Sequence, residues 1–379
     1  MKKLKYSLLT SLCLAAMSCH SSEEESAVKV TSVAHSPVKR QSIGNCWLYA
    51  QSTWLESMLK TTTGANVNVS ETYWTYWDMY HKLLRNQPIP EEELNTGGTW
   101  GLSKSIILEY GWVKEDDFIP EEKNKMMSES QACAEDYILA QGREGGTLFA
   151  QERTPELLRA ELDKAFSCNG KYKFDMNAAF ANRQKAEDTQ LIDVKTKQER
   201  SLKDWLSRWT EASVATTNSW GPYEGKKIPT ESEVGAYKQI EQRIKKALND
   251  HQPVVLSWFV SFNAANKTGL FNISSLADKG ELGSSGGHMI VLYDYTVKNV
   301  PNKGSLGEGD LSEADKALAL QGDLDYLVVK NSWGADRPDR PWLRDGYSRL
   351  SWDYLSARYE NESGTYSPFI RGVVFPPGY

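Results

Sequence analysis

The chain has 379 residues, with 44 basic and 50 acidic side chains and a formal net charge of −6. A mildly acidic chain of mixed sign argues against nucleic acid as a partner. About 340 residues follow the amino-terminal segment, which is enough to bury a large core with two lobes and insertions.

The amino-terminal segment has the pattern of an export signal. A basic start is followed by an apolar stretch from Tyr6 to Met17, too short to span a bilayer, and by small residues. Cys19 in this position resembles the cysteine of a bacterial lipoprotein signal. That resemblance implies cleavage of residues 1–18, a membrane-anchoring lipid on Cys19 and a place in the bacterial cell envelope; ordinary secretory cleavage is the alternative. Residues 19–38 are polar and are expected to form a tether to a domain at 39–379.

A cysteine begins the first predicted helix of that domain. Cys46 runs directly into an apolar helical pattern, which predicts a helix to about Leu59. A thiol in the first helical turn feels the positive end of the helix dipole, which lowers its pKa. Gly44 frees the backbone ahead of it, and the Gln41 side-chain amide is close in sequence. The segment therefore offers a nucleophile and an oxyanion site, with a buried structural cysteine as the alternative.

The next elements alternate between turns and helices. We expect a loop at 61–64, a helix around Glu71–Arg85, a turn at Gly97 and Gly98, and a helix over 101–110.

Residues 118–230 are charged and largely helical in pattern, and we interpret them as an inserted helical subdomain. They contain Cys133 and Cys168. Spare thiols outside the cytoplasm often pair, so these two are either a disulfide or two buried free thiols. No Cys or His spacing typical of metal ligands appears, so we expect no metal and no cofactor.

Strand patterns dominate the remainder. A helix over 231–249 leads to a strand at 253–258, and the last strands are predicted within 346–356 and 368–375. A polar stretch at about 297–323 indicates an inserted surface hairpin or loop.

Two of these strands supply partners for the cysteine. His288 opens an apolar strand behind two glycines, and Asn331 ends the next apolar run. A cysteine nucleophile needs a base, and the base needs a third group to fix its ring, so Cys46, His288 and Asn331 suit a triad for acyl transfer. Trp333 follows closely, where an indole can wall the cleft and shield the His288–Asn331 hydrogen bond; ordinary packing is the alternative.

These segments resemble the papain-like cysteine peptidases, most closely the bleomycin hydrolase and aminopeptidase C branch. The resemblance rests on the Cys-Trp-Leu-Tyr-Ala, Gly-Gly-His-Met and Lys-Asn-Ser-Trp-Gly blocks, with residues 69–79 and 97–113, and covers 40–113 and about 235–360. It implies an α+β, two-lobed papain-like fold with a helical lobe, an antiparallel β lobe and a largely helical insertion. It also implies hydrolysis of peptide or protein substrates, with Gly98 pairing with the substrate backbone and Gly97 shaping the turn; a plain turn is the alternative.

The chain departs from that family's pattern near the triad. Gln41 lies five positions before Cys46, where the family has six, so its oxyanion role is open. Two other functions also stay open: a catalytically silent surface binding protein on a peptidase fold, and a cell-wall amidase or acyltransferase with the same Cys-His pair. The stiff ending Pro376–Tyr379 is either a segment that reaches into the cleft or a frayed terminus; we expect any exopeptidase character to come from the insertion instead.

Overall fold

The computed structural model describes residues 37–212 and 231–379, except for 310, 336, 338, 341 and 344, and has an α+β architecture with two lobes. The predicted α+β class is confirmed. The predicted signal peptide, Cys19 and all but the last two tether residues lie outside the described part of the chain. Within the described ranges, no helix has both the length and the apolar character needed to cross a membrane.

The first lobe is mainly helical. Its elements in chain order are α1 (Cys46–Thr63), α2 (Glu71–Leu84), α3 (Trp100–Tyr110), α4 (Glu115–Phe118), a 3₁₀ turn (Pro120–Glu122), α5 (Glu129–Gln141), α6 (Thr147–Ala150), α7 (Pro155–Phe166), α8 (Met176–Ala181), β1 (Gln190–Ile192), β2 (Glu199–Ser201) and α9 (Leu202–Arg208). Every residue of α1 from Cys46 to Leu59 is buried, so this helix is the centre of the lobe rather than a surface helix.

The end of α1 differs from the sequence-based expectation. The helix continues through residues 61–63, where a loop was expected, and ends at Gly64, which has a φ of 72°. Thr62 and Thr63 stay helical because their hydroxyls donate to the carbonyls of Met58 and Leu59, each at 2.8 Å. Gly64 takes the left-handed conformation without a steric penalty, and this conformation ends the helix directly after Thr63.

The second lobe is built on an antiparallel sheet. Its elements are β3 (Thr210–Ala212), α10 (Glu231–Asn249), β4 (Val254–Ser261), a 3₁₀ turn (Phe262–Ala264), β5 (Leu270–Phe271), α11 (Ile273–Lys279), β6 (Ser285–Val300), β7 (Gly304–Leu306), α12 (Glu313–Ala319), β8 (Asp323–Lys330), β9 (Tyr347–Ser351), α13 (Trp352–Ser356), β10 (Arg358–Glu360), β11 (Tyr366–Pro368) and β12 (Ile370–Phe375). The main sheet has the order β3-β12-β4-β6-β8-β9-β5, with β7 paired to β6, and its pairs are antiparallel except β5 with β9.

Strand β6 joins the two lobes because its faces belong to different cores. Met289 and Val291 pack with the helical lobe, while Ile290 and Leu292 pack in the core of the β lobe. Side chains on a strand alternate between faces, so one strand serves both cores. Helix α1 contacts β6, and the backbone of Met289, next to His288, contacts Cys46 at the start of the helix.

The described part of the expected insertion, residues 118–212, packs into the core of the helical lobe. Residues from α5, α7 and α9 share one hydrophobic cluster with α1 and α2. The stretch is not purely helical, because β1 and β2 form an antiparallel hairpin within it. Cys133 on α5 and Cys168 after α7 are joined by a disulfide.

The expected surface hairpin between His288 and Asn331 is present. Strand β7 turns back on the end of β6, and the short helix α12 follows it before β8. The extra chain between the two site residues is therefore accommodated at the far end of β6 from His288.

Candidate active site

Cys46 is the first residue of α1, and its position follows from the local structure of the preceding turn. Asn45 is the N-cap, but its side chain makes no capping hydrogen bond to the helix. The Cys46 residue is only 9% exposed. Among the described residues it is the free cysteine, since Cys133 and Cys168 are paired.

The expected lowering of the Cys46 pKa is wrong for the site as it stands. Burial raises the pKa of the Cys46 thiol to about 11, and this outweighs the lowering by the backbone of Met289, Trp47 and Cys46 itself. A charged sulfur loses hydration in a closed site, and the helix terminus does not compensate for that loss. The thiol is therefore neutral at pH 7.

His288 and Asn331 meet at the edge of the sheet. Nε2 of His288 lies 2.7 Å from Oδ1 of Asn331. The same Asn331 oxygen accepts the Ser332 backbone N–H at 2.8 Å, and the Asn331 amide donates to Ser348 Oγ at 3.3 Å. Asn331 is thus fixed at both ends of its amide. Because Nε2 faces Asn331, Nδ1 is the ring nitrogen left for a reacting group.

Burial also controls the protonation of His288. It lowers the pKa of the imidazole to about 4; the Asn331 hydrogen bond opposes this shift, and the charge of Arg340 adds to it. In the described part of the chain, no hydrogen bond joins the His288 ring to the Cys46 sulfur. Both groups are therefore neutral at pH 7, rather than a thiolate–imidazolium pair.

Aromatic rings shield the histidine on two sides. Trp333 stacks on the His288 ring with centroids 4.7 Å apart and planes at 25°. Trp258, which is opposite His288 in the β4–β6 register, contacts it edge-on at 6.3 Å. His288 and Asn331 are themselves 6% and 2% exposed.

Gln41 lies beside the site and bridges the lobes. Its side-chain oxygen accepts from Ser332 Oγ at 2.6 Å, and its backbone N–H donates to the Ser332 carbonyl at 2.9 Å. Its Nε2 donates to the Ile43 carbonyl at 2.8 Å. An amide NH₂ has two protons, so one remains for an oxyanion.

The two glycines occupy different positions in the wall of the cleft. A Cβ on Gly98 would lie 2.3 Å from the Trp47 ring, so only glycine allows this approach of the backbone to the indole. In the described ranges, the Gly98 main chain forms no hydrogen bond. The Gly97 carbonyl is already engaged by Lys82 Nζ at 2.8 Å.

A buried charge cluster lies beneath α1. Lys39 forms ion pairs with Glu71 at 2.5 Å and Glu115 at 3.1 Å. Burial raises the pKa of Glu115 to about 7, against the opposing effect of Lys39, and lowers the pKa of Lys330 to about 8. Because Lys39 is two residues from Gln41, this cluster anchors the segment that carries the amide.

Sequence reasoning did not find three residues that the structure places at or under the site. Ser348 supports Asn331, Gln131 supports the residue before Cys46 and Arg340 lies beside Trp333. Ser348 and Arg340 lie in the block that follows Asn331, whereas nothing in the sequence marks Gln131. In residues 37–212 and 231–379, apart from the five exceptions, no group of three or more His, Cys, Asp or Glu side chains is arranged to hold a metal ion.

Comparisons with known proteins give matches among solved structures alone. No protein-family model matches the chain, and no curated protein matches it. Among solved structures, 175 chains match. One is PepW from Lactobacillus rhamnosis HN001 (DR20), with 16% identity, a TM-score of 0.47, and coverage of 92% of this chain and 81% of PepW. A likeness at this level carries no inference about activity.

Proposed function

We propose that the protein is an exported, membrane-anchored papain-like cysteine peptidase that hydrolyses peptide bonds with Cys46, His288 and Asn331. The observation that carries the proposal is the 2.7 Å contact between His288 Nε2 and Asn331 Oδ1, with Nδ1 left for a thiol at the start of α1. A base oriented by an amide beside a helix-terminal cysteine suits acyl transfer.

In this mechanism, His288 Nδ1 takes the Cys46 proton as the sulfur attacks the peptide carbonyl. Both groups start neutral, so the proton moves from sulfur to His288 as the carbon–sulfur bond forms. The oxyanion is stabilised by the Cys46 backbone N–H and the remaining Gln41 amide proton. The protonated His288 then gives its proton to the leaving amine, and afterwards activates water for release of the acyl group.

Substrate binding is assigned to the turn at Gly97 and Gly98, beside Trp47. The unpaired main chain of Gly98 is available to pair with an extended substrate. Gly97 shapes the turn, since its carbonyl is held by Lys82. Replacement of Gly98 by alanine would push the backbone away from Trp47, so this variant should raise KM for a long peptide.

The experiment that tests the proposal is a peptide-library digest with wild type and Cys46→Ala. Loss of all cleavage in Cys46→Ala, with an unchanged circular dichroism spectrum, supports it; near-full activity in that variant refutes it. His288→Ala should lose activity as completely as Cys46→Ala because members of one catalytic unit are not additive. Asn331→Ala should cost less, since Asn331 only orients the ring.

The membrane anchor is proposed from the sequence of residues 1–38 and tested separately. Cys19→Ser should block lipid attachment, which fractionation and mass spectrometry of the amino terminus detect. If that variant is cleaved and localised as wild type is, the lipoprotein proposal fails, while the peptidase proposal stands.

One observation favours a second candidate, a catalytically silent binding protein. One of the two Gln41 amide protons is committed to the Ile43 carbonyl, which leaves a single proton of this side chain for an oxyanion. A peptidyl epoxide that labels Cys46 in wild type but not in a His288→Ala variant would favour the peptidase. Tight peptide binding without labelling or cleavage would favour the silent protein.

A further inference from the structure

A group of arginines lies beside the candidate catalytic histidine. The arginine cluster is Arg40, Arg337 and Arg340. The Arg340 guanidinium carbon lies 3.9 Å from the Phe262 ring centroid and 5.6 Å from that of Trp333, which itself stacks on His288. Positive charge is thus concentrated near the reacting centre of a chain whose net charge is −6.

The other two arginines adjoin the same tryptophan. Arg337 donates to the Trp333 carbonyl at 3.4 Å. The exposed side chain of Arg40 packs over Gly334, with its Cβ 3.3 Å from where a glycine Cβ would be. Burial is the largest cause that lowers the pKa of Arg340. The charge of Arg337 lowers it further, and the charge of Arg40 has a smaller effect in the same direction.

Arg340 differs from Arg337, whose guanidinium is bound to Asp339, and from the exposed Arg40, because its own guanidinium lies over two aromatic rings. Within the described ranges, its guanidinium N–H groups donate no hydrogen bond. Its ion pair with Asp339 is long, at 3.8 Å, whereas Arg337 donates to both oxygens of that carboxylate. The Arg340 side chain is 26% exposed, so a ligand can reach it although it lies over aromatic rings. Packing against aromatic rings restricts the guanidinium, and its planar fork can bind a carboxylate in a bidentate manner.

The position of Arg340 relates to one end of the substrate. The acyl part stays on Cys46, near Trp47 and Gly98 in the helical lobe. The leaving amine must reach His288 to receive its proton, so the chain behind it passes along the Trp333 side. A group next to Trp333 therefore contacts the leaving segment.

We propose that Arg340 binds a carboxylate in the leaving segment, one or two residues after the scissile bond, and so makes the protein selective for acidic leaving segments. This inference rests on the proposed peptidase function. The carboxylate belongs either to an acidic side chain or to the end of a short leaving segment. Arg40 adds a favourable charge, because the charge of Arg337 is offset by Asp339, while Arg340 makes the direct contact.

The test uses four peptides with one shared acyl part. Two have amidated ends and carry Asp or Asn as the first leaving residue; the other two have Gly-Gly leaving segments that end in a free acid or an amide. We expect kcat/KM to be roughly ten- to hundredfold higher for a carboxylate than for its amide partner, as for a charge-assisted hydrogen bond. A higher kcat/KM for the Asp peptide than for the Asn peptide would indicate binding of a side-chain carboxylate. A higher kcat/KM for the free acid than for the amide would indicate binding of the carboxylate at the chain end.

In the variant Arg340→Gln, the ratio of kcat/KM for the favoured carboxylate peptide to that for its amide partner should fall close to one. Arg340→Lys keeps the positive charge but loses the planar guanidinium, so it should retain a reduced ratio. This variant provides the test if Arg340→Gln is poorly folded. Arg349→Gln is the matched control. Arg349 is also in the β lobe, but its guanidinium is bound to Glu308 at 2.6 and 3.1 Å, so its loss should leave both ratios unchanged.

Binding of the same peptides to Cys46→Ala, measured by fluorescence anisotropy, separates the two proposals. Cleavage with equal rates for all peptides, or a ratio that survives Arg340→Gln, overturns the carboxylate site and leaves the peptidase standing. If nothing is cleaved but Cys46→Ala prefers the carboxylate peptides in an Arg340-dependent way, the carboxylate site stands and the peptidase falls. No cleavage and no preference in binding overturns both.

Discussion

Asn45, the residue before the candidate nucleophile, donates a hydrogen bond of 3.0 Å to the side-chain oxygen of Gln131 on α5. Asn45 also donates to Thr75 on α2 at 2.8 Å, and Gln131 donates to Thr72 at 2.9 Å. Asn45 and Gln131 are both fully buried. The start of α1 is therefore held by two other helices, one of which belongs to the stretch that resembles nothing in the papain-like pattern.

Loss of this bond should affect turnover more than substrate binding. Gln131→Leu leaves a buried Asn45 N–H unpaired, at a cost of about 1–3 kcal/mol in the free energy of unfolding. We expect kcat to fall about tenfold with a smaller change in KM, because a slight shift of Cys46 affects the reacting geometry first. Steady-state kinetics on one peptide measure both constants.

A matched variant separates positioning from general destabilisation. Ser103→Ala removes another buried hydrogen bond of the helical lobe, 2.8 Å to Gln51, away from the start of α1. It should lose similar stability while keeping kcat. Gln131→Glu keeps an acceptor for Asn45 and should recover part of the turnover. Equal losses of kcat in Ser103→Ala and Gln131→Leu would show that Gln131 acts only through stability.

The protonation of Cys46 predicts a pH dependence of its alkylation. Its pKa is raised to about 11 by burial, so the thiolate fraction grows about tenfold per pH unit below that value. The second-order rate with iodoacetamide should therefore keep rising from pH 5 to pH 10. Mass spectrometry, with Cys46→Ala as the control for other cysteines, measures it. A rate already constant between pH 5 and 8 would indicate a preformed thiolate–imidazolium pair instead.

Much of this site was predictable from sequence because its parts are local patterns. A helix that starts at Cys46, a strand that starts at His288 and a strand that ends before Asn331 each have a short, readable signal. The α1 terminus was misjudged because Thr62 and Thr63 use side-chain hydrogen bonds to remain helical. The pKa of Cys46 was misjudged because burial depends on both lobes, and no local pattern reports it.

Contacts between segments that are distant in sequence were not predictable either, because they form only when the chain is folded. Gln131 looks like any polar helical residue until α5 is packed against the start of α1. Arg340 acquires its surroundings only when the chain after Asn331 folds over Phe262, 78 positions earlier in sequence.

Reduction of the Cys133–Cys168 disulfide should destabilise the helical lobe. The bond closes a loop with a sequence separation of 35, for which chain entropy gives about 3–4 kcal/mol. Urea unfolding of Cys46→Ala, oxidised and reduced, measures the difference without exchange from the free thiol. Identical midpoints, with thiol counts that prove reduction, would show that α5 and α7 need no covalent link.

Removal of Lys39 should destabilise the protein in a pH-dependent manner. Lys39→Met removes the cation that forms ion pairs with the buried carboxylates of Glu71 and Glu115, and loss of one partner of a buried pair costs about 3–5 kcal/mol. The pKa of Glu115 is already raised to about 7, and loss of Lys39 raises it further. The folded state then binds protons that the unfolded chain releases above about pH 4.5, so the deficit grows with pH. Urea unfolding at pH 5 and pH 8 should show the larger deficit at pH 8; an equal deficit at both would exclude this charge effect.

The carboxy-terminal tail, Pro376–Tyr379, should not control where substrates are cut. Tyr379 donates from its hydroxyl to Asp250 at 2.5 Å, and its carbonyl accepts from Arg243 at 2.8 Å. Lys195 lies over its ring at 5.2 Å. These partners belong to α10, the turn after it and the β1–β2 turn. Among the described residues, the tail forms no hydrogen bond or ring contact with Cys46 or His288.

Deletion of residues 376–379 should therefore leave the cleavage pattern of a long peptide unchanged, as mass spectrometry of the products would show. A small loss of thermal stability is expected, because the contacts with Arg243 and Asp250 are removed. Tyr379→Phe is the matched control, since it keeps the chain length and loses only the bond to Asp250. A switch from end-trimming to internal cuts in the deletion variant, but not in Tyr379→Phe, would show that the tail leaves its place on α10 and gates the cleft.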